Sequence, residues 1–204
     1  MKSRLEVYYE NIPSNAIRIF NARIQSNPSD ANYYGLALSH SNNNNYSESI
    51  KLINQLVAKY PKNLVLNNTK VDILEAAGKY DDALNLVNKL LDISPRNYPL
   101  SISKSKILLR IGKKFEAEEI IRDQLIRKNR DPELWLLLSE IQRAGQNIVG
   151  YHQSRAEYFL LLGQNEKALN QLEFALQLTQ NNFQVSERIM TCLLYTSDAA
   201  DDGV

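Results

Sequence analysis

Gly78-Lys79-Tyr80-Asp81-Asp82-Ala83, followed by Leu84, Val87, Leu90 and then Pro95, is the stretch that decides the fold. A glycine can take positive φ and so close a preceding helix. The apolar residues at 84, 87 and 90 recur at helical spacing. The proline stops that helix, because it has no N–H to offer and its ring clashes with the preceding turn. One copy upstream the same order recurs: Asn44-Asn45-Tyr46-Ser47-Glu48-Ser49, then Ile50, Ile53, Leu56 and Pro61. Tyr46 to Tyr80 and Pro61 to Pro95 cover one and the same interval. Further copies read Ala16-Ile17-Arg18-Ile19-Phe20 to Pro28, Gly112-Lys113-Lys114-Phe115-Glu116-Ala117, and Gly163-Gln164-Asn165-Glu166-Lys167-Ala168 through Leu172 and Ala175. In each unit the aromatic after the turn is expected to pack into the angle between two helices. The small residue that follows lets those helices approach closely.

Paired helices at this interval, a period of about 34 residues, resemble the tetratricopeptide repeat (TPR). The resemblance implies an all-α chain, a right-handed α–α superhelix of about twelve helices in four to five repeats. Helices are predicted near 1–11, 13–26, 30–41, 46–59, 64–77, 80–93, 98–111, 114–128, 132–144, 148–162, 166–179 and 182–191. The pairing has one phase break. Two helices, 114–128 and 132–144, separate the Gly112 turn from helix 148–162, where strict alternation leaves room for one. An extra helix or a degenerate repeat is therefore expected around Trp135, itself read as a core residue. Other departures are milder. Asn42 to Asn45 stand where a glycine turn is usual, and asparagine tolerates the left-handed region. Ser49 takes an alanine position, and Val71 a small-residue position.

Composition agrees with helices that are half buried: 44% hydrophobic and 23% charged residues, with only seven Gly and six Pro. Net charge is +1, so no global field draws in nucleic acid or an acidic membrane. Between Lys104 and Arg130 nine Lys/Arg face four Asp/Glu, either a solvated face or an anionic docking patch. Apolar runs such as Leu134 to Leu138 fall far short of the ~20 residues that cross a bilayer, and Met1 to Glu6 carries no secretory h-region. From Cys192 to Val204 the text becomes acidic and Gly-ended, resembling translated adapter sequence. The expected division is a solenoid over 1–191 and a non-native tail over 192–204, with truncation at both ends. That tail holds the single cysteine, so no internal disulfide or cysteine-based zinc site is expected.

Catalytic patterns are missing from the text. His40 and His152 are the two histidines; there is no HExxH, no phosphate-binding glycine loop and no GxSxG. Carboxylate neighbours such as Asp81-Asp82 and Glu118-Glu119 point in different directions on a helix. No enzyme, cofactor or metal is expected in this chain. The functional surface is then the face lined by the first helix of each pair, where such arrays bind peptides or folded partners. In this register it carries Tyr34 and Leu38, then Asn68, Asp72 and Glu75, then Ile102, Lys106 and Arg110. Its change from acidic to basic suits an extended polar ligand, and solvated side chains are the plainer reading.

Gly150-Tyr151-His152-Gln153-Ser154-Arg155-Ala156-Glu157-Tyr158-Phe159, with Gly163 and Ala168-Leu169-Asn170-Gln171-Leu172-Glu173, narrows the resemblance. These segments are similar to the C-terminal TPR domain of BepA (YfgC)-like zinc metallopeptidases of the bacterial periplasm. Lys2-Ser3-Arg4-Leu5, Tyr34-Gly35-Leu36-Ala37 and Pro132 to Glu140 fit the same pattern, over residues 1–191. The resemblance implies a periplasmic location and a missing N-terminal HExxH domain that carries zinc. It implies protein partners: the outer-membrane assembly machinery, client outer-membrane proteins and the protease domain itself. His152, Arg155 and Glu157 are then candidates for contact with that domain, or for pairing within their own helix. The alternative is a free-standing TPR scaffold of secretion or pilus assembly.

Overall fold

The computed structural model describes residues 2–10, 12–179, 186–187 and 189–191. The expected tail over 192–204 lies outside them, as does much of the helix expected over 182–191. Eleven helices run through the described residues in chain order: α1 (Lys2–Tyr9), α2 (Pro13–Ser26), α3 (Asp30–Asn42), α4 (Tyr46–Lys59), α5 (Leu64–Ala76), α6 (Tyr80–Ile93), α7 (Tyr98–Arg110), α8 (Lys114–Arg127), α9 (Pro132–Ala144), α10 (Ile148–Leu161) and α11 (Asn165–Gln177). Ser186, Glu187 and residues 189–191 are also helical. The chain forms two compact units, 1–107 and 108–204, and the boundary falls inside α7.

The turns within the hairpins α3–α4, α5–α6, α7–α8 and α9–α10 are built the same way. A residue in the left-handed region ends the first helix, and the next amide reaches back to a carbonyl in that helix's last turn. The left-handed residues are Asn44, Gly78, Gly112 and Gln146, with φ of 57°, 72°, 82° and 61°. The amides of Asn45, Lys79, Lys113 and Asn147 donate to the carbonyls of His40, Leu74, Leu108 and Gln142 at 2.8, 2.9, 2.8 and 2.9 Å. Each step along this series is one sequence period. The first helices of these hairpins also start alike. Side chains of Ser29, Asn63, Asn97 and Asp131, again one period apart, accept backbone amides of the first turn. Such caps satisfy amides that the helix cannot.

The second helix of a pair buries one stripe. On α4 this is Ser49, Leu52, Ile53 and Leu56; on α6, Ala83, Val87 and Leu90; on α8, Ala117, Ile121 and Leu125. These are i, i+3, i+4, i+7 and i+8 positions, the inward face of a helix. Ser49 stands in for alanine at no polar cost, since its hydroxyl donates to the Ala37 carbonyl at 2.8 Å. The aromatic slot is filled by half-buried Tyr46 and Tyr80. Phe115 does not fill it. One period after Tyr80 comes Lys114, and a single position of offset turns Phe115 by about 100° around the helix. That leaves Phe115 85% exposed.

In the first unit one cluster joins Val7, Phe20, Leu36, Ala37, Ile53, Leu56 and Ile73, and a second joins Val71, Leu74, Ala83, Val87, Leu100 and Ile107. Each large member stabilises the stack by about 1.5–3 kcal/mol on burial. In the second unit Leu134, Leu138 and Ile141 are fully buried, and Ala156 packs with Ala168, Leu172 and Ala175.

The extra helix expected in the array is not found among the described residues: α9 starts 34 residues after α7, α10 34 after α8 and α11 33 after α9, so first and second helices alternate throughout. What differs is the connection from α10 to α11, which closes like a turn within a hairpin: Gly163 is left-handed at φ 69°, and the Gln164 amide reaches back to the Phe159 carbonyl at 2.9 Å. α10 therefore has the same tight turn at both ends, and it packs against α9 and α11 to a similar extent. Trp135 and its helix α9 stay in register: Asp131 caps α9 one period after Asn97.

Close approach of helices tolerates no added atom at Gly35 of α3, where a Cβ would overlap the Phe20 ring of α2. Gly35→Ala is expected to lose about 1–3 kcal/mol, read as a lower urea midpoint; an unchanged midpoint would mean that the α2–α3 contact is not tight.

Candidate functional site

The first helices of the hairpins in the first unit are α1, α3, α5 and α7, and the expected interaction residues lie on them in two rows. Leu38, Asp72 and Lys106 follow one another at one period, as do Tyr34, Asn68 and Ile102. Residues in one row hold equivalent places on successive helices, so the period that stacks the hairpins also lines up these side chains.

Asp72 is the hub. Its Oδ1 accepts the Ser103 hydroxyl at 2.7 Å, and its Oδ2 accepts the Asn68 amide at 3.3 Å. Ser103 Oγ also lies 3.3 Å from Asn68 Oδ1. The Arg4 guanidinium of α1 comes within 3.8 Å of Asp72 Oδ2, and Lys106 adds positive potential from α7. Although 38% of its side-chain surface stays open, the crowded setting of Asp72 dominates its titration. Burial pushes its pKa above the usual carboxylate value, and the Ser103 bond, Arg4 and Lys106 oppose this. A groove of about 220 Å³ opens beside it, lined by Arg4, Tyr8, Leu38, Thr69, Asp72 and Ile73 among others.

Not every expected residue is displayed. Tyr34 is buried at 8% exposure and belongs to the core. Its hydroxyl lies 3.0 Å from Thr69 Oγ1. Because the Thr69 proton goes to the Val65 carbonyl at 2.8 Å, Tyr34 donates and Thr69 accepts. The expectation of a ligand-facing Tyr34 is thus corrected: it ties α3 to α5. Leu38, Asn68, Glu75 and Ile102 are half-buried and Lys106 is exposed. Arg110 falls past the boundary, in the second unit. Arg4, Thr69 and Ser103 were not singled out in the sequence. The last two stand one residue after Asn68 and Ile102, and α1 lacks the turn glycine that marks other helices.

In the second unit His152, Arg155 and Glu157 part company. His152 Nδ1 is 2.9 Å from Gln171 Oε1, and its ring lies 5.5 Å from that of Phe174, so it binds α10 to α11. Arg155 stacks over Phe159 at 4.9 Å and Tyr151 at 6.0 Å, and its buried Nε finds no acceptor among the described residues. Glu157 lines a separate cleft with Trp135. Trp135 is half-buried and not a sealed core residue; its indole N–H donates to the Asn129 carbonyl at 2.7 Å. Among the described residues no group of three His, Cys, Asp or Glu could hold a metal ion. No helix among them is long and apolar enough to cross a membrane.

A tetratricopeptide-repeat family model matches residues 74–141. The fold is that of TPR proteins. PilF of Pseudomonas aeruginosa superposes with a TM-score of 0.64 at 14% identity, over 93% of this chain and 86% of that one. MamA of Desulfovibrio magneticus RS-1 gives 0.59 at 14%, over 84% and 97%. A thermophilic TPR protein of Thermus thermophilus gives 0.55 at 19%, over 93% and 95%. A comparison with curated protein sequences finds no significant match. The TPR-type fold suggests a protein–protein interaction scaffold and is typically non-catalytic.

The raised pKa of Asp72 fixes a sign. The fold disfavours its ionised form, so that cost is present at neutral pH and disappears as pH falls through the folded value to below the ordinary one. The stability of the parent relative to Asp72→Asn is expected to rise as pH falls from 7 towards 4, read from paired urea midpoints; a difference independent of pH contradicts the burial of this carboxylate.

Proposed function

We propose that the chain is a protein-interaction module that takes an extended partner segment along the first-helix face of its hairpins. The observation that carries this reading is the row Leu38, Asp72 and Lys106 beside the groove of the first unit. One period delivers an apolar, an acidic and a basic side chain in succession, and such an order reads a sequence of side chains on an extended polar ligand. Asn68 and Ile102 stand one turn before Asp72 and Lys106 on the same helices, with Glu75 one turn beyond Asp72. Arg110 continues the basic end of the row in sequence.

Peptides selected against the intact chain from a random library provide the test. Leu38→Arg or Lys106→Glu is expected to weaken the selected peptides at least about tenfold, or roughly 1.4 kcal/mol. Lys89→Glu, at an exposed position of the second-helix row, is expected to leave binding unchanged. Loss of binding through Lys89 alone, with Leu38 and Lys106 indifferent, overturns the reading.

The finer assignment follows the resemblance of residues 150–173 to BepA-like proteins. In that reading the module belongs to a periplasmic zinc metallopeptidase of outer-membrane protein assembly and quality control. Its partners are the assembly machinery, client barrels and a protease domain that holds the zinc, and His152, Arg155 and Glu157 belong to its contact with that domain. Sequencing the gene upstream of the Met1 codon tests it. An in-frame HExxH within a few hundred codons is expected, and a stop codon with a ribosome site just upstream removes the assignment.

A further inference from the structure

The second unit contains a cleft that the face of the first unit does not use. About 210 Å³ opens beside α8, α9, α10 and α11, lined by Trp135, Leu138, Ser154, Glu157 and Leu172 among others. Sites for small-molecule ligands run to ~300–1,000 Å³. This one has the capacity of a single long side chain.

Its electrostatics are uneven. Arg122 also lines the cleft, but its guanidinium makes two bonds to Glu118 Oε1, at 3.0 and 2.7 Å. That same oxygen accepts from Gln142 Nε2 at 3.3 Å, and Gln142 Oε1 accepts the Ser154 hydroxyl at 2.7 Å. The polar wall from α8 to α10 is therefore self-satisfied, with Arg122 already neutralised. Glu157 is the exception. Its carboxylate has no ion-pair partner among the described residues, and burial pushes its pKa above the ordinary glutamate value. Among the described residues, then, one carboxylate without an ion-pair partner sits half-buried in a cleft that Trp135 also lines.

We propose that this cleft receives a lysine or arginine side chain of a partner protein, its cation paired with Glu157 and its aliphatic stem laid against Trp135. Each part of that side chain meets its complement. An aromatic face attracts a cation and also accepts the methylene stem. A partly desolvated carboxylate gains more from a cation than a carboxylate in open water does, because the effective dielectric is lower. An acidic side chain would face the unmatched charge of Glu157 and be repelled. This proposal stands on the second unit alone and does not depend on the face described for the first.

Trp135 is the single tryptophan of the chain, so its fluorescence reports on the cleft directly. The intact chain is titrated with n-butylammonium chloride, as a lysine side-chain probe, and with n-butanol and sodium butyrate, all at one ionic strength. A saturable change in Trp135 emission is expected with butylammonium. Butanol should bind at least about fivefold more weakly, and butyrate should give no saturation. Glu157→Gln should reduce the butylammonium affinity by about tenfold, while Glu157→Asp, which keeps the charge, should retain the preference for ammonium over alcohol. Equal binding of butanol and butylammonium overturns the proposal, as does butylammonium binding undiminished in Glu157→Gln with far-UV circular dichroism unchanged. Absence of any saturable response in the parent overturns it too. Should Glu157→Gln fail to fold, the preferences of the parent and Glu157→Asp among the three probes decide.

Discussion

The hairpins α3–α4, α5–α6, α7–α8 and α9–α10 each hang on one bond: the amide just past a left-handed residue, donated back to the last turn of the helix it ends. Without it the last carbonyls of the first helix lack partners, and the chain has no reason to reverse where it does. With it, the second helix starts directly afterwards at a fixed angle, and its first inward position is set. Those positions are Ser49, Ala83 and Ala117, all fully buried. The bond itself contributes little net free energy, on the order of 1 kcal/mol. Its effect is geometric: it decides which stripe of the second helix meets the first, and burial of that stripe supplies the stability.

The same constraint arranges function. Because the hairpins repeat at one interval, side chains one period apart become neighbours on the first-helix face. Asp72 is thereby placed against Ser103 and near Lys106, and Tyr34 against Thr69. A buried hydroxyl pair and a half-buried carboxylate serve opposite ends. Tyr34 and Thr69 satisfy each other and close the core; Asp72 keeps part of its charge available at the rim of a groove. The tight turn from α10 into α11 has its own consequence. A helix held by tight turns at both ends brings Gly150 so near α9 that a Cβ there would meet Gln142 Nε2 at 2.8 Å. That approach is what places Ser154 on Gln142, in the wall of the Glu157 cleft.

Much of the fold was legible because its signals are local. Gly78 and Gly112 announce positive φ, and Pro61 and Pro95 announce stops, without reference to anything distant. The equivalent turn at Gln146 was not legible, since glutamine gives no hint of left-handed backbone; there Gly145 sits one residue early and is right-handed at φ −78°. With that turn unseen, α9 and α10 were not paired, and an extra helix was expected around Trp135 where the alternation runs on unbroken. The cap series Ser29, Asn63, Asn97 and Asp131 was equally regular, yet its mixture of serine, asparagine and aspartate hid it from a search for identity. Burial was the least legible property. Tyr34 and Ile102 lie on the same row in sequence, but only contact with Thr69 and the core shows that one faces inward. Phe115 failed for a smaller reason, a single residue of slippage against Tyr80.

If the repeat interval is the true structural unit, removing one complete period should leave the rest able to fold. Deleting residues 64–97 joins Asn63 directly to Tyr98, so that Asn63 takes the capping place of Asn97 on α7. The decisive measurement is the urea unfolding of that shortened chain followed by far-UV circular dichroism. A cooperative transition from a helical state, with a smaller denaturant dependence in proportion to the surface removed, is the result expected. A shortened chain without helical signal or without a cooperative transition contradicts a structure built from interchangeable hairpins.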